Sequence, residues 1–326
     1  MDERIQHLFT ERVLELKQRI EELEPENNIE FQVMTDPQLI RESAGGAVQT
    51  NSDGKETLLL DPSRATELIT AHELMHIILH RSHWPQMYSI FMPEDALALN
   101  IANTLDNILD HYIFDPMLLA QGYDLSEYRD WYIDQLKLWP QHEQTEPGLV
   151  LHDSLMILDA LLFGQDYRRK AIGIIGKDHS KSLGLAYKLE ELVDPKGERT
   201  QKAVRQSLIK MLRFVDKWLS AQTHSQTNLL DRIGVSPFFT AKRLLLPAAN
   251  TIGYKSYAGR YDNYQLWVGA FNQKSDNIRF RNMIMADVYT EPPEISAAIN
   301  QLKKLSLGGF LVAQRVTKYT LDDPDQ

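Results

Sequence analysis

Apolar residues recur at three- and four-residue intervals through much of the chain, and this spacing predicts a fold that is helical for most of its length. Ile5, Leu8, Phe9, Leu16, Ile20 and Leu23 form one such stripe with charges between them, which predicts an amphipathic helix over 3–24. Pro25 and the polar residues after it end that helix. The pattern then changes to alternation. Phe31–Met34 reads as a short strand, and 46–61 reads as a β-hairpin whose arms, Ala47–Thr50 and Thr57–Leu60, flank the turn segment Asn51-Ser-Asp-Gly54. A long helix is expected from Thr66 to His80, free of Gly and Pro. A second is expected from Glu94 to Phe114, stopped at Asp115-Pro116, with a short further turn closing at Gly122.

Beyond residue 124 helical spacing dominates as far as about 245. Leu149–Leu162 is strongly apolar. Lys202–Leu219 sets Val204, Leu208, Met211, Leu212, Val215 and Leu219 on one face, with Lys202, Arg205, Lys210, Arg213 and Lys217 elsewhere. The last segment alternates again. Tyr264–Val268, Phe280–Tyr289 and Phe310–Val316 read as strands, Pro293–Leu305 as a helix, Gly308-Gly309 as the lead into the final strand, and 322–326 as a frayed tail. The expected fold class is α+β. A small-sheet domain over 1–124 is followed by a mostly helical region over 125–245 and a small α+β module over 246–326.

Charge supports a division of the chain. Of the net −10 over 326 residues, the first 120 residues carry −13 and the remainder +3. The basic remainder is too weakly charged to predict general nucleic-acid binding. The Lys202–Lys217 series leaves a polyanion partner as a minor expectation beside the ordinary reading of a solvated helix face. The N-terminus is charged and lacks an apolar signal core, and no run of 18 apolar residues occurs, so a soluble cytoplasmic protein with no membrane partner is expected.

The chain has no cysteine. Disulfides, thiolate nucleophiles and Cys-ligated metal are excluded, and any metal site must be built from His, Asp or Glu. One segment supplies such residues at a meaningful spacing, His72-Glu73-Leu74-Met75-His76 in the first long helix. Residues four apart share a helix face, so both imidazoles can reach one zinc ion. Glu73, one position on, can face the attacking water as general base and then proton donor. The apolar flanks 68–71 and 77–79 mark a core helix, where two His and a Glu are costly without a metal or firm partners.

A third ligand is expected from the next helix, within Asp106-Asn-Ile-Leu-Asp110-His111. Three assignments compete: His111 with a nearby carboxylate fixing its ring, Asp110, or Asp106 with Asp110 orienting a ligating histidine. His111 is preferred, because imidazole is the common neutral ligand and Asp is short for reaching between helices. His80 lies on the face of His76 and, with His83, reads as a rim residue. Tyr88 and Tyr112 are candidates for an oxyanion-stabilising hydroxyl. His142, His152, His179 and His224 read as structural or surface histidines.

The segment from Gly45-Gly-Ala-Val-Gln-Thr50 through Thr57-Leu-Leu-Leu-Asp-Pro62 to Ala71-His-Glu-Leu-Met-His-Ile-Ile-Leu79 resembles HExxH zincin metallopeptidases of the compact gluzincin type, particularly the ImmA/IrrE-like ones. The resemblance covers about residues 1–122. It implies a minigluzincin-like fold, with a small sheet, an open edge strand, the HExxH helix and a ligand helix, and one catalytic zinc ion. It carries His72 and His76 over as ligands and Glu73 as the catalytic acid/base. The chain departs from the family at the third ligand, where Glu of an E-x-x-x-D arrangement is matched by Asp106-x-x-x-Asp110 with His111 alongside.

The leading expectation is therefore a zinc-dependent endopeptidase acting on a specific intracellular protein or peptide substrate. Two alternatives stand beside it: a zincin-fold binding or regulatory module that recognises a protein or nucleic-acid partner without proteolysis, and hydrolysis of a non-peptide amide.

Overall fold

The computed structural model describes residues 2–50, 55–89, 96–140, 144–176, 178–194, 196–236, 238–250, 252–261, 264–271, 282–287, 297, 300–301, 304–313 and 320–322. They form two compact units. The first comprises Met1–Ser82 and Asn107–Glu191, the second His83–Asp106 and Leu192–Gln326. The class is mixed α+β, largely helical, with small sheets. Among the described residues no helix is long and apolar enough to cross a membrane.

The first unit opens with a short 3-10 turn, Gln6–Leu8, and helix α1, Glu11–Leu23, where one helix was expected over 3–24. Thr10 makes the difference: its side chain caps α1 by accepting from the Val13 N–H, so the helix starts there. Strand β1, Glu30–Val33, helix α2, Pro37–Glu42, and strands β2, Gly46–Thr50, and β3, Glu56–Leu60, follow. Helix α2 is absent from the sequence expectation, although Asp36 and Pro37 provide a cap and a first-turn proline. The expected hairpin forms, with Gly46 opposite Leu60 and Thr50 opposite Glu56. β3 is central, parallel to β1 and antiparallel to β2, which leaves β2 at one edge of this three-stranded sheet.

Helix α3, Glu67–Arg81, packs on α1 and on both hairpin strands. Thr66 caps it through the Ile69 N–H. Leu68, Ile69, Leu74, Met75, Ile77, Ile78 and Leu79 are all buried, the pattern of a helix enclosed on nearly every face. Val13, Leu16 and Ile20 of α1 and Leu58 and Leu60 of β3 complete this core.

Helix α4, Ala96–Ala120, crosses from the second unit into the first between Asp106 and Asn107. It runs through Pro116, where the sequence predicts a stop. Pro116 removes only one N–H from the ladder, and the next turn buries Leu118 completely, so packing outweighs the break. Gly122, in the left-handed region at φ +81°, follows the helix end as expected. The unit is completed by α5, Ser126–Lys137; α6, Pro147–Leu162; α7, Gln165–Ile175; and α8, Ser180–Glu190. The apolar α6 packs against α5, α7 and α8.

The second unit is built on α9, Gln201–Thr223. Val204, Leu208, Met211, Leu212, Val215 and Leu219 are buried as predicted, and Lys202, Lys210, Arg213 and Lys217 are exposed. Arg205 leaves that basic series. It is buried, and its Nε donates to the Ser236 carbonyl at 2.7 Å. Short helices α10, Leu229–Arg232, and α11, Ala241–Leu244, and strands β4, Met87–Ser89; β5, Ile233–Val235; β6, Phe238–Thr240; and β10, Thr320–Asp322, surround it. β4 pairs with β5 and β6 with β10, so Asp322 lies in a strand and not in a frayed tail; 323–326 lie outside the described residues. β7, Ile252–Tyr261, β8, Tyr264–Phe271, and β9, Asn282–Asp287, form an antiparallel sheet, of which β8 and β9 were expected. The helix expected over 293–305 falls mostly outside the described residues.

Leu307–Ala313 is a helix, α12, where Phe310–Val316 reads as a strand. Leu307 and Phe310, three apart, are both fully buried, and this helical spacing outweighs the strand propensity of the segment.

Candidate metal centre

The site lies wholly in the first unit. α3 presents His72 and His76 four residues apart, ring centroids 5.0 Å from one another. α4 brings His111 to them, 4.9 Å from the His72 ring and 5.4 Å from that of His76. One nitrogen of each imidazole lies within 4.8 Å of the others. Phe114, fully buried one turn beyond His111, sets its ring against all three imidazoles, 4.9 Å from His72 and His76 and 5.5 Å from His111.

Carboxylates fix two of the rings from behind. His76 Nδ1 is 2.9 Å from Asp110 Oδ2, and His111 Nδ1 is 3.1 Å from both oxygens of Asp159 on α6. With Nδ1 engaged in this way, Nε2 of each ring is left to face the cluster, the arrangement that orients a metal-binding imidazole and raises its basicity. Asp110 also lies 3.6 Å from His80 Nε2. It therefore stands behind the cluster and orients His76. Asp106 points elsewhere: its carboxylate accepts the Met87 N–H at 2.7 Å, within the second unit.

Electrostatics follow from burial and from these pairs. Burial, with His111 and His76 adding to it, drives the His72 pKa well below its ordinary value. Burial also lowers that of His76, against the opposing pull of Asp110. Burial would lower His111 as well, but Asp159 overrides it, helped by Asp115 and Asp110, and the pKa rises to about 9. Asp110 is held down to about 2: its burial acts upward, and the bonds to His76 and His80 outweigh it. Glu73 is half-buried, and burial pushes its carboxyl up to about 7, with His111 acting in the opposite direction.

Glu73 is also held sterically. A Cβ on Gly46, the first residue of the edge strand β2, would lie 2.8 Å from Glu73 Cγ and 3.0 Å from Ile69 Cγ2. The absence of a side chain at 46 therefore lets β2 pass directly beside Glu73. At the preceding position φ is +123°, a conformation suited to Gly45, and a Cβ there would meet Arg64 backbone at 2.9 Å.

The donor set fits a divalent transition metal. Three imidazoles and an open fourth position are a recognised zinc arrangement, His111 giving up its proton on binding the metal. Tetrahedral zinc with bonds of about 2.0–2.1 Å sets its nitrogens about 3.3 Å apart, so the 4.8 Å spread must close by about 1.5 Å for the three to share one ion.

Among the tyrosines singled out from the sequence, Tyr112 is half-buried and the Tyr88 side chain lies outside the described residues. The tyrosine at the site is Tyr128 of α5, its ring 4.8 Å from His72 and 5.8 Å from His111. Burial drives its pKa well above the ordinary tyrosine value, with Asp159 and Asp115 adding to the effect. His179 Nε2 donates to the Pro140 carbonyl, 2.9 Å away, His152 is 3.5 Å from Asp153, and His224 ends α9 in the left-handed region; His142 lies outside the described residues. His83 stands just beyond α3, also at positive φ.

Two contributors went unremarked in the sequence, Asp159 and Tyr128. The signal for Asp159 was present: a carboxylate set between Leu158 and Ala160 in the apolar second half of α6. Tyr128 carries no such mark. The chain matches no family model, no curated protein and no solved structure.

Proposed function

We propose that this protein is a zinc-dependent endopeptidase of the zincin type, acting on an intracellular protein substrate. The observation that carries the reading is the convergence of His72, His76 and His111 beside Glu73, with β2 running past Glu73 as an edge strand.

His72, His76 and His111 would hold the zinc ion, which when bound supplies a Lewis acid that polarises the scissile carbonyl and acidifies the attacking water. Asp110 and Asp159 keep the His76 and His111 rings oriented and their Nδ1 atoms engaged. Glu73, with its carboxyl raised towards neutrality, takes the proton from the attacking water and delivers it to the departing amide nitrogen. An extended substrate adds to the open edge of β2, where main-chain hydrogen bonds align it and the bare Gly46 lets it lie close to Glu73. His111 would fill the role of third ligand that Glu fills in the gluzincins this chain resembles, a neutral ligand in place of an anionic one.

Glu73→Gln tests the reading. The variant should retain stoichiometric zinc and lose peptide cleavage by about a hundred- to ten-thousandfold, the scale of general-base catalysis. Undiminished cleavage would overturn it.

A further inference from the structure

Helix α9 has a face that the metal centre does not use. Its buried side is apolar, and on the opposite side Lys202, Gln206, Lys210, Arg213 and Lys217 follow one another at intervals of three and four residues. At 3.6 residues per turn these five positions fall within about 80° of the helix circumference and extend over about 22 Å. All five are exposed. Asp216 is the single carboxylate of α9, and it is engaged beside this face: its Oδ1 accepts from the Thr227 hydroxyl at 2.7 Å and from the Leu229 N–H at 2.8 Å. Among the described residues no carboxylate pairs with Lys202, Lys210 or Lys217.

Such a face is costly to keep. Like charges three and four residues apart, as at Lys210, Arg213 and Lys217, weaken a helix. A surface that serves solubility alone mixes both signs, whereas this one holds a single sign for about four turns. The unit that contains α9 shares the bias. It carries 19 Lys and Arg against 15 Asp and Glu, a net +4, where the first unit carries 16 against 30, a net −14.

We infer that this face of α9 docks on the phosphodiester backbone of a duplex nucleic acid. The inference is independent of the peptidase reading. Four aligned cations suit a polyanion that carries one negative charge per about 1.7 Å of its axis. A rigid helix meeting a stiff duplex aligns the charges without ordering a flexible chain. A single strand is held largely by stacking on aromatic rings, and the five positions offer none; Phe214 and Trp218 lie to one side of the face and are half-buried. A bilayer surface is entered by apolar side chains beside the cations, and none stands among these five. Contacts from Lys, Arg and Gln to phosphate fix position on a duplex and carry no sequence information, so binding is indifferent to sequence.

The test is fluorescence anisotropy of the full-length chain with a labelled random-sequence DNA duplex, the corresponding RNA duplex and the single DNA strand. Co-flotation with phosphatidylserine-containing vesicles is run alongside. With four phosphate contacts the slope of log affinity against log salt should be about −3.6, a loss of about a hundredfold between about 50 and 200 mM salt. Lys202→Gln/Lys210→Gln/Arg213→Gln/Lys217→Gln should weaken duplex binding at least tenfold at about 50 mM salt and flatten the slope. All four sites are exposed and Gln is a comparable helix former, so its circular dichroism should match wild type. Lys210→Gln alone should lower the slope by about 0.9. The control Lys137→Gln/Arg169→Gln/Lys170→Gln/Lys188→Gln removes the same charge from exposed positions of the first unit and should leave binding within about twofold of wild type. Binding of either duplex in this pattern supports the inference, and the ratio of the two affinities distinguishes DNA from RNA as the source of the backbone. Four results would overturn it: no duplex binding at about 50 mM salt, binding that the fourfold α9 variant retains, an equal loss in the control, or tighter binding to the single strand or to vesicles than to either duplex.

Discussion

Gly46→Ala is a small substitution with a sharply defined expected effect. The new methyl carbon would lie 2.8 Å from Glu73 Cγ and 3.0 Å from Ile69 Cγ2, where ordinary contacts begin at 3.4 Å. Glu73 must therefore retreat by about 0.6 Å, or β2 must move away from α3 by as much. Overpacking of this kind costs about 1–3 kcal/mol of stability. The cost in rate follows from position. A misplacement of about 1 Å in a catalytic group lowers turnover by about a hundredfold, so a shift of about 0.6 Å corresponds to a loss of roughly tenfold in kcat. The nearest atoms to the new methyl belong to Glu73 and Ile69 and to none of the three histidines, so zinc content should stay at one ion per chain. The assay is kcat on a cleaved peptide at saturating zinc, with metal measured in the same preparation. Wild-type kcat in Gly46→Ala would refute the placement of Glu73 against β2. A loss of zinc in step with activity would refute the division of labour between Glu73 and the histidines.

Other predictions address the supports of the site. Asp159→Asn leaves His111 Nδ1 without its carboxylate and should weaken zinc binding by about 10–100-fold, read by competition with a chromophoric chelator. Asp110→Asn should do the same through His76, whereas Asp106→Asn, which alters an acceptor for the Met87 N–H, should leave zinc affinity unchanged. Phe310→Ala should destabilise the second unit by about 3–5 kcal/mol in denaturant unfolding, since its ring is fully buried on α12. Glu67→Gln tests a pH dependence. Burial pushes the Glu67 carboxyl up, but bonds from Thr10 and Arg12 outweigh it and leave the pKa below its ordinary 4.5. A depressed carboxylate stabilises the fold above the unfolded value and ceases to do so as pH falls through the folded one. Wild-type protein should thus melt higher than Glu67→Gln at pH 7, and the gap should close in acid below pH 4.5. A gap that persists unchanged at pH 2 would contradict the assignment.

The parts of the fold that were legible in the sequence are those that local spacing determines. The pairing of β2 with β3 follows from alternation around a strong turn segment, and the meeting of His72 with His76 follows from helix geometry. Thr66 announces the start of α3 because its cap is a local hydrogen bond. What escaped depends on distant partners. Asp159 reaches His111 across 48 positions, and nothing near either residue in the chain names the other. The third position of the histidine cluster stayed open among three residues for the same reason. All three candidates ride on α4, and only its docking against α3 and α6 decides that His111 faces the cluster, Asp110 backs His76 and Asp106 meets Met87. Pro116 and Gly308 show local signals overruled, each inside a helix whose neighbouring Leu118 or Phe310 is fully buried.

The central claim is that His72, His76 and His111 together hold one zinc ion. X-ray absorption at the zinc edge on the full-length, zinc-loaded protein tests it most directly. The account predicts one zinc per chain with three imidazole nitrogens at about 2.0–2.1 Å and a single oxygen. His111→Ala should reduce the imidazole count to two or abolish binding. Two imidazoles with a carboxylate oxygen in the wild type, or three imidazoles surviving in His111→Ala, would contradict the claim.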